Sequence, residues 1–350
     1  MKSRFSDRLI RWNREKNTRV MPWKGEKDPY RIWLSEVILQ QTRVEQGLGY
    51  YERFLARFPS IEILAAAKED SVFKLWEGLG YYSRCRNLLE TARTIMNEYN
   101  GVFPQRYDEI LKLKGVGPYI AAAIASFAYN LPHAVLDGNV FRVLSRIYGI
   151  NKPVDSTEGK KTFRSVAEEN LDRSNPGLYN QAIMDFGATV CKPISPCCDG
   201  CVMESICVAR KHNTVNQLPV KEKSIVKKQR WFYYFLLQVE NRVLIQRRNG
   251  TDIWCGLHEF YLYESPTAME WTDRKLRSWL NNHLGIRDYT LYYMSERSTQ
   301  QLTHQKINGQ FISLGLEEIP ASLKDHAWVS INSLRKLAFP ALINQHLKPH

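Results

Sequence analysis

Long apolar runs are missing from this 350-residue chain. No stretch approaches the roughly 20 residues a membrane-spanning helix needs, which excludes an integral helical membrane protein. The opening segment, Met1 to Trp12, is basic and has no apolar stretch ahead of a small-residue cleavage site, so no secretory leader is expected. Cysteine is scarce: there are seven, and an odd number without a leader argues against a disulfide framework. A reducing, cytoplasmic setting suits such free thiols. Acidic residues are in the minority, 36 Asp and Glu against 49 Lys and Arg, which leaves a formal net charge of +13 and a pI near 9.3. That balance favours a polyanionic partner, either nucleic acid or an anionic membrane surface. Strand-like alternation is rare before about residue 208, and no repeat or low-complexity segment occurs.

Four of the cysteines fall within seventeen residues. Cys191, Cys198, Cys201 and Cys207 follow a Cys-x6-Cys-x2-Cys-x5-Cys spacing, which lets one short loop wrap four thiolates around a single centre. Thiolates are soft ligands and select iron-sulfur clusters or zinc over magnesium or calcium. Structural zinc usually takes two closely spaced pairs, whereas this loop has one Cys-x2-Cys with wider gaps, a pattern that leans toward a 4Fe-4S cluster without settling the metal. Cys197, next to Cys198, is read as a bystander, and Cys85 and Cys255 lie elsewhere.

Apolar positions recur at three- and four-residue spacing up to about residue 208, the signature of a mainly helical region. Asp28-Pro29 reads as an N-cap and first-turn proline opening a helix whose one face carries Trp33, Val37, Gln40 and Val44, with Glu36 at its border. From residue 209 to 230 the sequence is polar and basic, including Lys211, Lys221, Lys223, Lys227, Lys228 and Arg230, and reads as an interdomain linker. Beyond it, Trp231 to Glu240 and Val243 to Arg248 are rich in aromatic and β-branched residues and form a hairpin pattern. A helix is expected over Asp273 to His283, giving an α+β domain over 231–350.

Leu113-Lys114-Gly115-Val116-Gly117-Pro118-Tyr119 precedes a small-residue helix, Ile120 to Ala128. Glycines there free the backbone to turn just before a helix N-terminus, where exposed amides grip a phosphate without reading bases: a helix-hairpin-helix signal. An ordinary helix–helix turn is the plainer alternative, and the cysteine loop and charge weigh against it. Leu136-Asp137-Gly138-Asn139 lies before a further helix, Val140 to Ile147. Taken alone, Asp137 or Asn139 reads as a helix cap and Glu36 as a solvated helix residue. A carboxylate beside an apolar face, however, tends to a raised pKa and can hold a proton for general acid work.

Five motifs in order carry a resemblance: Leu34-Ser35-Glu36-Val37-Ile38-Leu39-Gln40-Gln41-Thr42, Gly78-Leu79-Gly80-Tyr81-Tyr82, the hairpin, Leu136-Asp137-Gly138-Asn139-Val140, and the four cysteines. Together they resemble the MutY family of adenine DNA glycosylases over nearly the whole chain. The resemblance implies a helix-hairpin-helix glycosylase domain over 1–208 and a 4Fe-4S cluster on loop 191–207. It further implies removal of adenine mispaired with 8-oxoguanine or guanine in duplex DNA, by a nucleoid-associated protein that nothing requires to be more than a monomer. By the same resemblance Glu36 protonates the departing base, with N7 as the site, and Asp137 stabilises or traps the oxocarbenium-like sugar. Tyr119 and Asn139 match residues that hydrogen-bond these acids. Gly115, Val116 and Gly117 match the phosphate-binding hairpin, and Gln41, Leu79 and Tyr81 match residues that wedge into the duplex when the base is extruded. Lys24 stands where some members have an arginine. An endonuclease III-like pyrimidine glycosylase and lyase is the rival enzyme; that class carries a nucleophilic lysine where this chain has Tyr119. A catalytically silent DNA-binding protein is the rival of another kind.

Trp254-Cys255-Gly256-Leu257-His258-Glu259-Phe260 suggests a Nudix-like fold, which makes pyrophosphate hydrolysis a competing function. Such a hydrolase needs a Glu-rich helix to hold divalent metals, and Ser278, Trp279, Asn282 and His283 occupy the positions expected to carry it. The domain is therefore read as a recognition module. Leu302-Thr303-His304 aligns with the family's Phe-Ser-His loop that contacts 8-oxoguanine; Thr303 keeps the hydroxyl, whereas Leu302 forgoes aromatic stacking.

Overall fold

A computed structural model describes residues 2–222 and 227–347, with side chains from residue 5 onward; Lys223 of the expected linker lies outside them. The chain divides into two compact units, residues 1–66 with 87–224 and residues 67–86 with 225–350.

The first unit is helical. Its elements are α1 (Lys2–Glu15), α2 (Pro29–Leu39), α3 (Val44–Arg57) and α4 (Ile61–Ala65), the greater part of α6 (Tyr82–Glu98), which follows α5 (Glu69–Trp76), then α7 (Tyr107–Ile110), α8 (Pro118–Tyr129), α9 (Gly138–Tyr148), α10 (Thr157–Asn170), α11 (Pro176–Thr189) and α12 (Val208–Lys211). Phe5, Leu9, Trp12, Val143, Phe163, Tyr179 and Phe186 share one buried cluster, which ties α1 to α9, α10 and α11. Proline at the first position opens α2, α8 and α11, where its missing N–H costs nothing.

The helix expected to run from Asp28 through Val44 stops at Leu39. Gln40 leaves helical geometry and Gln41 takes a φ of +56°. α3 folds back closely on α2 at Gly47, where a Cβ would lie 2.8 Å from Leu39 Cδ2 and make that side chain shift. Periodicity that continues across a turn does not reveal the turn.

The second unit contains β1 (Lys228–Val239), β2 (Arg242–Arg247), β3 (His258–Glu259), β4 (Tyr261–Ser265), β5 (Thr290–Met294), β6 (Ser298–Gln301), β7 (Gln305–Gly315) and β8 (Ala327–Ser330), with α13 (Asp273–Leu284) and α14 (Ala341–Leu347). The strand path is β3-β2-β1-β7-β5, with β4 on β1, β6 on β7 and β8 on β2. β1 runs parallel to β7 and antiparallel to β2 and β4. Residues 232–237 of β1 are buried without alternation, as suits a central strand covered on both faces. Trp279 of α13 stacks on Phe235 at 4.5 Å between ring centres and on His283 at 4.7 Å, so this helix packs aromatics where a Nudix hydrolase carries metal-binding acids.

Two boundaries differ from the sequence reading. Residues 67–86 belong to the second unit: Lys74 Nζ donates to Leu337 O at 2.9 Å, Phe339 N to Glu77 Oε1 at 2.9 Å, and Arg86 to Cys255 O at 3.0 Å. Residues 209–222 of the expected linker are anchored in the first unit. Leu218 is buried and its carbonyl accepts from Arg146 Nε at 3.1 Å, while Val154 N donates to Val220 O at 3.0 Å.

Candidate active site

Glu36 faces inward from α2 and is 7% exposed. Tyr119, in the first turn of α8, donates its hydroxyl to Glu36 Oε2 at 2.6 Å and also approaches Met184 Sδ of α11 at 3.5 Å. Burial raises the Glu36 pKa to about 7; the Tyr119 bond works against that rise and the nearby Asp137 charge adds to it. A carboxyl in this setting is substantially protonated at neutral pH, as a general acid must be.

Asp137 is the N-cap of α9, where Oδ1 accepts from Val140 N at 2.7 Å and Oδ2 from Asn139 Nδ2 at 2.7 Å. The capping role and a catalytic role are compatible, because the helix N-terminus and the amide both favour the anion. Burial nevertheless pushes Asp137 up, and the Val140 and Asn139 bonds only oppose that rise. Glu36, Tyr119, Asp137 and Asn139 are thus brought together by α2, α8 and α9.

Sequence reasoning missed Arg142 and Met184. Arg142 NH2 donates to Asn139 Oδ1 and to Gly187 O, each at 2.7 Å, and its Nε donates to Cys191 O at 2.7 Å. Its position one helical turn after Asn139 was the available signal. Lys24 Nζ reaches Asp185 Oδ2 at 3.0 Å, and Arg19, Asn17 and Gln181 donate to the same fully buried carboxylate. Lys24 is therefore held in an ion pair within the first unit.

In the hairpin, Gly115 has a φ of +75° and a Cβ there would lie 2.7 Å from Asn87 Cβ, so glycine is required twice over. Val116 is buried and pins the turn, while Gly117 caps α8 with open space beside it. The turn thus offers a bare backbone at a helix N-terminus, the geometry that binds phosphate.

The four clustered cysteines line one small cavity together with Arg146 and Met203, and the exposed Cys197 stands on the same wall. Burial pushes the Cys201 thiol up to about 11, and the Cys191, Cys207 and Cys198 sulfurs add to that rise. Arg146 donates to Cys191 Sγ at 3.4 Å, Met203 N to Cys201 Sγ at 3.4 Å, and Cys207 Sγ to Arg146 O at 3.4 Å. Among the described residues no three His, Cys, Asp or Glu side chains converge as ligands of one ion.

In the second unit, Tyr81 has a φ of +49°, is 43% exposed, and bonds Thr303 Oγ1 through its hydroxyl at 2.6 Å. Arg84 lies beneath it, 5.2 Å from its ring centre and 5.3 Å from that of Trp76. Tyr81, Thr303 and His304 line a cavity of about 450 Å³ bounded by residues 251–255 and 301–305. Gln41, in the first unit, is exposed with a positive φ. Leu79 departs from its expected wedge position: it is 5% exposed, a core side chain held by the Trp76–Gly80 turn.

Residues 34–169 match the model of the HhH-GPD superfamily of base excision DNA repair proteins, and residues 233–348 match the NUDIX domain. An adenine DNA glycosylase of Buchnera aphidicola subsp. Baizongia pistaciae is 32% identical over 97% of this chain and 95% of that protein. Another, of Homo sapiens, is 39% identical over 61% of this chain and 41% of that protein. Among solved structures, a thermostable thymine-DNA glycosylase has 27% identity and a TM-score of 0.56, covering 60% of this chain and 97% of that one. An endonuclease III–DNA complex has a TM-score of 0.52 at 20% identity, covers 61% of this chain and 98% of that one, and shares the fold. With that identity sustained along almost its full length, the chain belongs to the adenine DNA glycosylase family.

Proposed function

We propose that this protein hydrolyses the N-glycosidic bond of adenine mispaired with 8-oxoguanine or guanine in double-stranded DNA. The observation that carries the reading is the Glu36 carboxyl, buried, bonded by Tyr119, raised to about 7 and close enough to Asp137 to feel its charge. Adenine is a poor anionic leaving group, so Glu36 protonates it, at N7, as the bond lengthens. Positive charge then builds on the sugar, and Asp137, oriented by Val140 N and Asn139, stabilises or traps it. Water completes the exchange and leaves an abasic sugar. In this reading the duplex is held through backbone amides at Gly115 to Gly117, and Gln41 and Tyr81 enter it when the base is extruded. Thr303 and His304 read the opposite base.

The four-thiol cavity fits a 4Fe-4S cluster held by Cys191, Cys198, Cys201 and Cys207. Structural zinc usually takes two closely spaced ligand pairs, whereas this loop has one Cys-x2-Cys flanked by wider gaps, and all four thiols line one cavity. The cluster would order loop 191–207 against α9, whose Arg142 and Arg146 grip its backbone. Anaerobically purified protein should contain iron and sulfide, and stoichiometric zinc alone would overturn the assignment. We further infer a monomer that works in the cytoplasm on the nucleoid.

A pyrimidine glycosylase with lyase activity is the second reading; the likeness to the thymine-DNA glycosylase favours its pyrimidine substrate and not the lyase step. Tyr119 distinguishes the two, since its phenol is committed to Glu36 and offers no amine for a Schiff base. Incubation with duplexes holding adenine opposite 8-oxoguanine, adenine opposite guanine, or oxidised thymine, followed by alkali, separates them. Adenine release that leaves strands intact until alkali is added supports the first; strand cleavage without alkali, trapped by borohydride, supports the second.

A further inference from the structure

Arg230 in β1 is 8% exposed, and its guanidinium is saturated with acceptors. Nε and NH2 donate to Glu264 at 2.7 and 2.5 Å, NH1 and NH2 to the two oxygens of Asp252 at 2.7 and 2.8 Å, and NH1 to Gln305 Oε1 at 3.1 Å. Arg248 meets the same aspartate: NH2 donates to Asp252 Oδ2 at 2.7 Å, NH1 to Glu259 Oε2 at 2.6 Å, and Nε to Ile253 O at 3.0 Å. Phe232 serves both cations, with its ring centre 4.7 Å from one guanidinium and 5.5 Å from the other. The Arg230 bonds hold the Asp252 carboxyl down at about 2.

Such a network is a poor device for stability alone, since apolar residues of similar volume serve at least as well. What it supplies is geometry, because a bidentate guanidinium fixes the orientation of a carboxylate as well as its distance. The geometry here concerns the cavity of the second unit: Asp252 belongs to the wall formed by residues 251–255, and Gln305 to the wall formed by residues 301–305. Arg230 holds both from the central strand, whose Lys228 N also donates to His304 O at 3.0 Å.

We propose that Arg230, through Asp252 and Gln305, is a positioning residue that fixes the separation of these two loops and so sets the preference for 8-oxoguanine over guanine opposite the adenine. This rests on the reading that the cavity at Tyr81 and Thr303 receives that base. Glu264 supplies a matched control, because it binds the same guanidinium and has the same partial exposure as Asp252, 39% against 41%, yet lies on β4 away from the cavity wall.

The test measures binding to duplexes with adenine opposite 8-oxoguanine and opposite guanine, for the full chain carrying Glu36→Gln to prevent turnover, with Asp252→Asn, Arg230→Lys or Glu264→Gln added. Single-turnover excision is followed separately in the three variants without Glu36→Gln. Asp252→Asn and Arg230→Lys should each lower the preference about tenfold, the scale of a charge-assisted bond, while excision at saturating enzyme changes less. Glu264→Gln should keep the preference within about twofold. Retention of full preference by Asp252→Asn overturns the clamp, and so does an equal loss in Glu264→Gln, which would mark the network as general support. If Asp252→Asn lacks a cooperative thermal transition, Gln305→Ala decides: a loss of about threefold supports the clamp, and none overturns it. A parent that shows no preference brings down the underlying reading together with the clamp, whereas a parent with a preference that all variants share brings down the clamp alone.

Discussion

Glu36 and Thr303 each share a hydrogen bond of 2.6 Å with a tyrosine, Tyr119 in one case and Tyr81 in the other. The first pair lies within the helical unit with its carboxyl 7% exposed, and the second stands on loops of the other unit with its tyrosine 43% exposed. Burial separates their uses. Around Glu36, loss of water is the leading influence, and the bond to Tyr119 tunes how strongly the carboxyl holds its proton. Around Thr303 the bond fixes where two side chains stand. The same contact is a proton-affinity device in one place and a positioning device in the other.

Breaking the buried side should have the larger consequence. Glu36→Gln and Asp137→Asn should bind duplex normally and lose adenine excision by several orders of magnitude, since a general acid alone is worth roughly 10²- to 10⁴-fold. Single-turnover release measures it, and near-normal rates in either variant remove that residue from the mechanism. Glu36→Gln also tests the burial cost. A carboxyl raised from its ordinary 4.5 to about 7 on folding stabilises the protein at low pH. That contribution is lost as pH rises through the interval, on the order of 3 kcal/mol in all. The variant, lacking the titration, should therefore gain on the parent between about pH 5 and pH 8 in urea midpoints, and parallel midpoints would contradict the burial argument.

Two substitutions that delete one hydroxyl sharpen the comparison. Tyr119→Phe removes a bond that lowers the Glu36 pKa, so the pH at which activity falls should move alkaline, with a rate change of up to about tenfold below it. Tyr81→Phe should leave the pH profile in place and reduce the preference for 8-oxoguanine by about fivefold in binding. The smallest effects are expected at the loop: Thr303→Ala and His304→Ala should each weaken lesion binding by roughly 1 kcal/mol or less, with excision at saturating enzyme less affected. Equal shifts from both tyrosine variants in both assays would erase the distinction.

Much of this was legible in the chain because it is local. Asp28-Pro29, Gly117-Pro118 and Asp137-Gly138 open α2, α8 and α9 where capping chemistry places them, and the two acids ride on those helices. Arg142 was within reach as the residue one turn beyond Asn139. The rest depends on partners distant in sequence. Helical periodicity over residues 67–86 shows an apolar face but not that Lys74, Glu77 and Arg86 bond the backbone at Leu337, Phe339 and Cys255. Leu79 matches a wedge residue in the chain, and only the turn in which Trp76 Nε1 ties down Gly80 O shows it buried. Arg230 was read as one charge of a basic linker, yet its acids lie 22 and 34 residues away and are gathered only by the sheet.

The most direct test of the account is the single-turnover rate of adenine release at saturating enzyme from about pH 5 to pH 9. A buried Glu36 acid predicts a rate that falls above about pH 7, with the limb moved alkaline by Tyr119→Phe and unmoved by Tyr81→Phe. A rate that is flat or rising through pH 7, or a limb that follows Tyr81 instead of Tyr119, would contradict it.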